Sequence, residues 1–352
     1  MKLHLFNPEN DLALGIDCIN YTPPPNAAAL HRAGALFPLW WAGEGDAVIT
    51  PKGYEEDKIW MRSRFGLSAD TSIIPDAIPS PWGWSKDARR QFLMADKNLE
   101  LLPSDQELAD FRRLSSRASS IDILSRAGYQ GVLPINATNV EDALSFISTY
   151  GRCYVKSPWS GSGRGVFSTA ELPGGALRRR IEGIIHRQGS VIVEKELDKV
   201  MDFALLLYRT GNEISIAGLS VFLTEPRGMY CGNLVAPQHL LREIVCSKAS
   251  EQELDYWTAR ITQAVYELMA GESYQGPIGI DMLVHSAGIM PCIEMNMRMT
   301  MGFAAMAVAD RLGVTSPHVM AWNHGDMSKD SLLLLPPREG FALTLNKLLS
   351  DD

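Results

Sequence analysis

Short apolar runs alternate with amphipathic segments over the first hundred residues of the chain. KLHLF, FPLWW, DAVITP and SIIP are predicted strands, whereas NAAALHRAGA and GYEEDKIWMRSRFGL have the helical period. Alternation of strands and helices predicts a layered, mainly parallel sheet. The segment PDAIPSPWGW is rich in proline and tryptophan, and we expect a loop at a domain boundary there.

The remainder of the chain predicts helices mixed with antiparallel strands. SDQELADFRRLSSRASSIDILSRAG is helical and ends at Gly128, a predicted helix C-cap. NVEDALSFISTYG, GALRRRIEGIIHRQG and EQELDYWTARITQAVYELMAG predict further helices, and RCYVKS and SVIVEKEL predict strands. FALLLYRTGNEISIAGLSVFL predicts a hairpin that turns at residues 210–212. From Asp330 we expect a strand and a helix packed on the body.

Composition excludes several classes of function. A net charge of −8 without a basic block argues against a nucleic-acid partner. No apolar stretch has membrane-spanning length and no signal-peptide core is present, so we expect a cytoplasmic protein without a membrane partner. The five cysteines form no CxxC pair, which argues against a zinc knuckle or a disulfide framework. The sequence is compatible with a homo-oligomer.

The stretch VKSPWSGSGRGV, residues 155–166, combines two cations with a glycine-rich loop. Lys156 ends an apolar run and Arg164 follows the loop's glycines and serines. Backbone N–H groups of such a loop can surround phosphate oxygens, and glycine lets the backbone approach closely. A flexible linker would explain the glycines but not the two cations. The chain contains no GxxxxGK[ST], so a P-loop is excluded.

GIDMLV and CIEMNMR predict two strands of an acidic hairpin. In CIEMNMR the polar residues fall at every second position, which gives the strand one polar face. If Ala287-Gly288 is the turn, Asp281 lies directly opposite Glu294 and the two carboxylates repel. Magnesium, which typically binds one or two carboxylates together with substrate phosphates, would offset this repulsion. The alternative is a solvent-exposed strand face, where these residue types are common.

Taken in order, these motifs resemble the ATP-grasp superfamily of carboxylate–amine ligases over roughly residues 105–310. VKSPWSGSGRGV is similar to the family's strand lysine and phosphate lid, and VIVEKEL to its adenine-binding hinge. GIDMLV and CIEMNMR are similar to its paired metal-binding strands, with block spacing similar to that of biotin carboxylase. The resemblance implies an α/β (α+β) protein, an ATP-grasp fold preceded by a small parallel-sheet α/β domain.

The resemblance also implies ATP and Mg²⁺ as cofactors, with Mn²⁺ as an alternative ion. Lys156 would bind near the α-phosphate, and Arg117, on the preceding helix where many members have lysine, would bind an equivalent phosphate position. Arg298 would face the transferred phosphoryl group or the carboxylate substrate, and it is with Lys156 a predicted catalytic residue. The predicted metal ligands are Asp281, Glu294 and Asn296. The other predicted nucleotide contacts are Ser160, Gly161, Ser162, Gly163, Arg164, Gly165, Glu194, Lys195, Leu197 and Asp202.

We expect four units along the chain. Residues 1–103 would form the substrate-side α/β domain, and 104–195 the first ATP-grasp lobe with the glycine-rich lid. Residues 196–329 would form the second lobe with the metal-binding strands, and 330–352 a C-terminal extension packed on the body.

Candidate substrate residues lie outside the ATP-grasp motifs. FNPENDLALG follows the first strand, and ligands of open α/β sheets bind beyond the carboxyl ends of strands. The candidates are Asn7, Glu9, Asn10 and Asp11, for which an Asx turn and helix cap is an equal alternative, and Asn233, which a plain hairpin would also explain.

The implied reaction joins a carboxylate, from a small molecule or a peptide, to an amine or similar nucleophile through an acyl phosphate. Two alternatives remain on the same fold: a nucleotide-binding regulatory protein with little turnover, and a small-molecule kinase.

Overall fold

A computed structural model describes residues 1–68, 76–95, 99–161, 165–225, 228–325 and 331–348. These residues form three β-sheets flanked by helices. The α/β class predicted from the sequence is confirmed, with a small parallel sheet in front of two antiparallel sheets. Among the described residues, no helix combines the length and apolar character that crossing a bilayer requires.

The first sheet, here called the front sheet, has the order β2-β1-β3 with parallel pairing. Its elements are β1 (Lys2–Leu5), α1 (Asn10–Ile16), α2 (Pro25–Ala33), β2 (Ala47–Val48), α3 (Glu55–Phe65), β3 (Ile78–Pro81) and α4 (Lys86–Met94). FPLWW, a predicted strand, is instead a 3₁₀ helix at Phe37–Trp40. Because this apolar run is buried on all sides, it has no periodicity that separates strand from helix. The predicted strand SIIP, residues 72–75, lies outside the described residues.

Strand β3 lies within PDAIPSPWGW, so the prediction of a loop there is wrong. Proline was the reason for that prediction, since it cannot donate to a ladder. The N–H groups of Ile78 and Trp82 donate to β1, and the prolines at 79 and 81 fall at the alternate positions. β3 is an edge strand, so its prolines turn their nitrogens away from β1.

The second sheet, the middle sheet, is antiparallel in the order β4-β7-β5-β6. The elements here are α5 (Asp105–Leu114), α6 (Ser119–Ala127), β4 (Ile135–Ala137), α7 (Val140–Tyr150), β5 (Cys153–Lys156), β6 (Val166–Ser168), α8 (Gly174–Gln188) and β7 (Val191–Lys195). The single predicted helical segment before Gly128 is two helices, separated by residues 115–118. Gly128 is the predicted C-cap, with φ of +75°.

The third sheet, the large sheet, has the order β12-β11-β8-β9-β10-β13-β15-β14. The remaining elements are β8 (Lys199–Thr210), β9 (Glu213–Thr224), β10 (Tyr230–Val235), α9 (Gln238–Cys246), α10 (Glu251–Leu268), β11 (Gly276–His285), β12 (Gly288–Asn296), α11 (Met301–Leu312), β13 (His318–His324), β14 (Leu332–Leu333) and β15 (Phe341–Lys347). The predicted β8–β9 hairpin is confirmed, since Thr210 pairs with Glu213. The C-terminal helix prediction is wrong for the described part, because FALTLNK is β15. This strand is largely buried between β13 and β14, so its alternation is hidden.

Two apolar cores hold the sheets in place around the acidic hairpin. The larger core packs α6 and α10 against one face of the large sheet. The second joins the front sheet to α11 and β15 and contains an aromatic group of Phe6, Phe37 and Trp82. The front sheet is therefore fixed against the helix that follows the acidic hairpin.

Gly34→Ala is expected to destabilise the protein by about 1–3 kcal/mol through overpacking. A Cβ at Gly34 would come within 2.1 Å of the Phe6 ring, which the aromatic group holds in place. The melting temperature measures the effect. Gly174→Ala is the matched control, since a Cβ there meets nothing within 4 Å and alanine favours the start of α8. Equal melting temperatures for the two variants would contradict the packing argument.

Candidate active site

The hairpin of β11 and β12 places Asp281 directly opposite Glu294, as the sequence predicts. The prediction assumed a turn at Ala287-Gly288, but His285 pairs with Gly288 and the turn is residues 286–287. If the ladder continued regularly from the pair His285–Gly288, Asp281 would pair with residue 292 rather than with Glu294.

A bulge in β12 restores the acidic pair. Residues 291–293 face the single residue Met282, since Leu283 pairs with Met290 on one side of the bulge. Pro291, which cannot donate to the ladder, is suited to such a bulge on an edge strand. The bulge adds two residues, so the strand period of two keeps Glu294 on the predicted face.

The paired acids carry an electrostatic cost. Burial, and next the charge of Glu294, raise the pKa of Asp281 to about 7, while Arg298 and a hydrogen bond with Asn296 oppose this shift. Two carboxylates on one side of a hairpin destabilise the fold unless a cation lies between or beside them.

Arg117 is the buried cation beside this pair. Its Nε donates to Oε2 of Glu294 at 3.0 Å, and its Nη1 donates to the Ser157 carbonyl at 2.8 Å and to Oγ of Ser160 at 2.5 Å. The sequence predicted Arg117 on a helix, but it lies in the turn between α5 and α6, where its N–H donates to the Pro158 carbonyl. Arg117 thus ties the acidic hairpin to the start of the glycine-rich loop.

Lys156 ends β5 and is buried. Its Nζ lies 2.5 Å from Oε1 of Glu194 on the neighbouring strand β7. The two residues are diagonal neighbours, since Tyr154 is the direct partner of Glu194. Of the other two predicted hinge residues, Lys195 is exposed and Leu197 packs against the larger core.

The base of the glycine-rich loop is closed rather than free. The N–H of Ser157 donates to the Gly165 carbonyl at 2.9 Å. Gly165 has a φ of +75°, and a Cβ there would lie 3.0 Å from the side chains of Ser157 and Ser160. Because the two ends of the loop are fixed to each other, the geometry favours the interpretation as a phosphate lid over that as a flexible linker. Three predicted lid residues, Ser162, Gly163 and Arg164, lie outside the described residues.

Four of these charged groups act on the pKa of Cys292 of β12. Burial raises the pKa of Cys292, the carboxylates of Asp281, Glu294 and Glu194 raise it further, and the ammonium of Lys156 opposes them. Lys156 and Glu194 belong to the middle sheet and the two other acids to the large sheet. Arg117, which contacts Glu294 of the large sheet as well as Ser157 and Ser160 after β5 of the middle sheet, joins the two sheets here.

Arg298 joins the hairpin to the front sheet. Its Nη2 donates to Asp11 of α1 and to Oδ1 of Asn296, both at 2.8 Å. Gly83, just after β3, forms an isolated bridge with Arg298. The structure thereby brings Asp11, a predicted substrate residue, to the acidic hairpin.

The other predicted substrate residues near β1 differ in their partners. Asn7 donates to the Gly83 carbonyl at 2.9 Å, and Asn10 packs on Gly83, where a Cβ would come within 2.4 Å of its amide. These two side chains hold the loop after β3. Glu9 has the N-cap position of α1 but makes no side-chain cap there.

Glu9 is buried, and only one of its carboxylate oxygens has a partner among the described residues. Its Oε1 lies 2.8 Å from Nδ1 of His31, whereas nothing in the described ranges donates to its Oε2. The Tyr21 hydroxyl is also buried without a hydrogen-bond partner in those ranges, and burial, with the charges of Glu9 and Asp87, raises the pKa of Tyr21 to about 12. The sequence analysis missed His31 and Tyr21, because neither lies in a motif.

Asn233 and Asp202 are each held by two side-chain hydrogen bonds. Asn233, buried on β10, accepts from the Tyr230 hydroxyl at 2.5 Å and donates to Oγ of Ser220 at 2.7 Å. Asp202 on β8 accepts from Lys199 at 2.6 Å and from Thr224 at 2.7 Å. Both geometries agree with a structural role, and the predicted substrate and ribose contacts stay predictions.

Comparison with solved structures identifies the class of fold. The chain is similar to N5-carboxyaminoimidazole synthetase from Staphylococcus aureus complexed with ADP, with 14% identity, coverage of 100% of this chain and 93% of that one, and a TM-score of 0.53. It is similar to biotin carboxylase from Campylobacter jejuni in an ATP complex, with 12% identity, coverage of 100% and 88%, and a TM-score of 0.54. It is also similar to the biotin carboxylase domain of 2-oxoglutarate carboxylase from Hydrogenobacter thermophilus, complexed with MgADP and bicarbonate, with 13% identity, coverage of 99% and 86%, and a TM-score of 0.53.

These proteins share the ATP-grasp fold, and this chain has that fold. The fold predicted from the four motifs is therefore confirmed. No family model and no curated protein matches the sequence.

Proposed function

We propose that the protein is an ATP- and Mg²⁺-dependent ligase that joins a carboxylate to an amine or similar nucleophile through an acyl phosphate. The observation that carries this proposal is the Asp281–Glu294 pair, flanked by Arg117 from the side of the lid and by Arg298 from the side of the front sheet. Charges of both signs thus converge where three sheets meet. A reaction that moves a phosphoryl group needs this arrangement more than it needs a side-chain nucleophile.

The phosphates of a bound nucleotide would replace protein carboxylates as the ion-pair partners of two cations. Arg117 and Lys156 are each held by an acid, Glu294 and Glu194 respectively. Mg²⁺ at Glu294 would release the Arg117 guanidinium toward phosphate, so metal and nucleotide would bind cooperatively. Lys156 would contact the α-phosphate region, and residues 160–165 would close over the β- and γ-phosphates. The hinge at residues 194–197 would face adenine, and Asp202 the ribose.

The acidic hairpin has the donor chemistry of a magnesium site. Asp281 and Glu294 supply carboxylates and Asn296 an amide oxygen, which here accepts from Arg298. Within the described residues, no group of three or more His, Cys, Asp or Glu is placed to hold a metal. This agrees with magnesium, which completes its shell with phosphate and water oxygens. Bound Mg²⁺, or Mn²⁺ in its place, would neutralise charge on the transferring phosphoryl group.

The acceptor substrates would lie between the hairpin and the front sheet. The planar fork of Arg298 suits a carboxylate or an acyl phosphate. The Oε2 of Glu9, which has no partner among the described residues, would accept hydrogen bonds from an amine. We propose on this basis that residues 1–103 form the substrate-side unit. The lobes at residues 104–195 and 196–329 would hold the nucleotide between them, with 330–352 as an extension.

Phosphate release from ATP, measured with a panel of carboxylates and amines, tests the proposal. Release that depends on both a carboxylate and an amine is the expected result. A stable phosphorylated product would identify a small-molecule kinase instead. Nucleotide binding without release under any condition would identify a regulatory protein.

A further inference from the structure

A cavity of about 160 Å³ lies at the far end of the large sheet, between the β8–β9 turn and the end of α10. Arg209, near the end of β8, lines it together with Asn212 of the turn, Tyr266 of α10 and Met269, which caps the C-terminal end of α10. None of its lining residues is acidic. The cavity holds only a few water molecules by volume and therefore suits an ion or a small molecule rather than a nucleotide.

Arg209 is a buried cation that forms no ion pair in the part of the chain that the structure describes. Only 3% of the residue is exposed, and none of the described residues accepts a hydrogen bond from its Nη1. Among the described residues, no carboxylate lies within ion-pair distance of Arg209. The nearby acid Glu272 is engaged by Arg113 at 2.6 Å. Burial accordingly lowers the pKa of Arg209, with the charge of Glu272 opposing. A buried guanidinium with no direct ion pair and an unpaired N–H group is costly and calls for a hydrogen-bond acceptor.

The surroundings hold the guanidinium in place. Its Nε donates to the Gly211 carbonyl at 3.1 Å, and the same carbonyl accepts from Gln275 at 3.2 Å. Gln275 also accepts from the Gly211 N–H at 2.7 Å. The turn is thus fixed to the segment after α10, and the protein's own hydrogen bonds hold this wall of the cavity in place.

This cavity is separate from the candidate active site. Asp281 of β11 pairs with Ala204 of β8, and Gly276 of β11 pairs with Arg209 of β8. Arg209 is thus five residues further along β8 than Ala204. An odd separation puts the two on opposite faces of the sheet, and five residues of strand span about 16 Å. Arg209 shares its face with the larger core, whereas Ala204 packs toward Phe303 of α11.

We infer that this cavity is a binding site for a small oxyanion, of the phosphate or carboxylate type, held by Arg209. The planar guanidinium matches such an anion with two parallel hydrogen bonds. The amide of Asn212 and the hydroxyl of Tyr266 can donate further bonds from the two sides of the cavity.

Titration with inorganic phosphate and, separately, with acetate tests the inference, using calorimetry and melting temperature at constant ionic strength. In Arg209→Met we expect the phosphate affinity of this site to fall about tenfold or more. Without anion, the melting temperature of Arg209→Met should equal or exceed that of the wild type, because the buried guanidinium with its unpaired N–H group is gone. Arg179→Met, at an exposed arginine, is the matched control and should respond as the wild type does.

A second variant keeps the test informative if Arg209→Met does not fold. Asn212→Asp puts a carboxylate at the cavity from an exposed turn position that tolerates either residue, and it should also weaken anion binding. A larger response to phosphate than to acetate assigns a phosphate-type ligand, and the reverse assigns a carboxylate. Identical titrations of the wild type, Arg209→Met and Asn212→Asp with both anions would overturn the inference. Anions that bind at other cationic positions contribute equally to all variants.

Discussion

Glu294→Gln is expected to remove nearly all magnesium-dependent turnover while leaving the fold intact. Glutamine keeps the shape of the side chain and still accepts from Arg117, but it lacks the charge that a hard cation requires. Turnover should fall by about 10²- to 10³-fold, as when one preorganised electrostatic contact is removed from an active site. Stability should change little, because the lost ion pair with Arg117 is offset by relief of the repulsion between residues 281 and 294.

Two measurements separate the metal role of Glu294 from a structural one. Phosphate release from ATP, with the substrate pair found in the panel, reports turnover. Calorimetric titration of ATP with and without Mg²⁺ reports whether the metal strengthens nucleotide binding, and this effect should disappear in the variant. Glu44→Gln, at an exposed glutamate, is the matched control. Wild-type turnover in Glu294→Gln would remove Glu294 from the metal site.

Local periodicity predicted the parts of the site that lie on single strands. The alternation in CIEMNMR placed Glu294 and Asn296 on one face, and the position of Lys156 at the end of its apolar run is its position at the end of β5. The pairing of Asp281 with Glu294 was predicted from a turn that does not exist. Two departures, a shifted turn and a bulge at Pro291, cancel, and neither has a signal in the hydrophobic pattern.

Contacts between distant segments could not be predicted in this way. Arg298 and Asp11 are separated by 287 positions, and Arg117 and Glu294 by 177. Such pairs depend on how sheets pack, whereas periodicity describes one element at a time. The same limit explains why His31 and Tyr21, which lie beside Glu9, carried no signal. The errors at FPLWW, β3 and β15 have a related cause, since burial on both sides or proline at an edge removes the periodicity that distinguishes a strand from other structures.

The ion pairs Arg117–Glu294, Lys156–Glu194 and Arg298–Asp11 share one property. Each joins a cation to an acid on a different element, and each cation is one that the ATP-grasp motifs assign to phosphate or carboxylate. The acids keep the buried cations compensated in the absence of ligand, at the cost of competing with it. In the proposed function, nucleotide affinity would therefore depend on the difference between two ion pairs rather than on one.

Lys156→Met is expected to weaken ATP binding by about 10- to 100-fold while changing the melting temperature little. Methionine has no ammonium group, so the variant would lose a charge-assisted hydrogen bond to phosphate, which contributes about 1.5–3 kcal/mol. In the empty protein the same substitution removes only the ion pair with Glu194, and that carboxylate is partly exposed and can be solvated. Calorimetric titration of ATP and the thermal unfolding curve measure the two effects. Lys248→Met, at an exposed lysine, is the matched control. A variant that binds ATP as tightly as the wild type would exclude Lys156 from the nucleotide site, and one that loses stability and affinity in parallel would make its role structural.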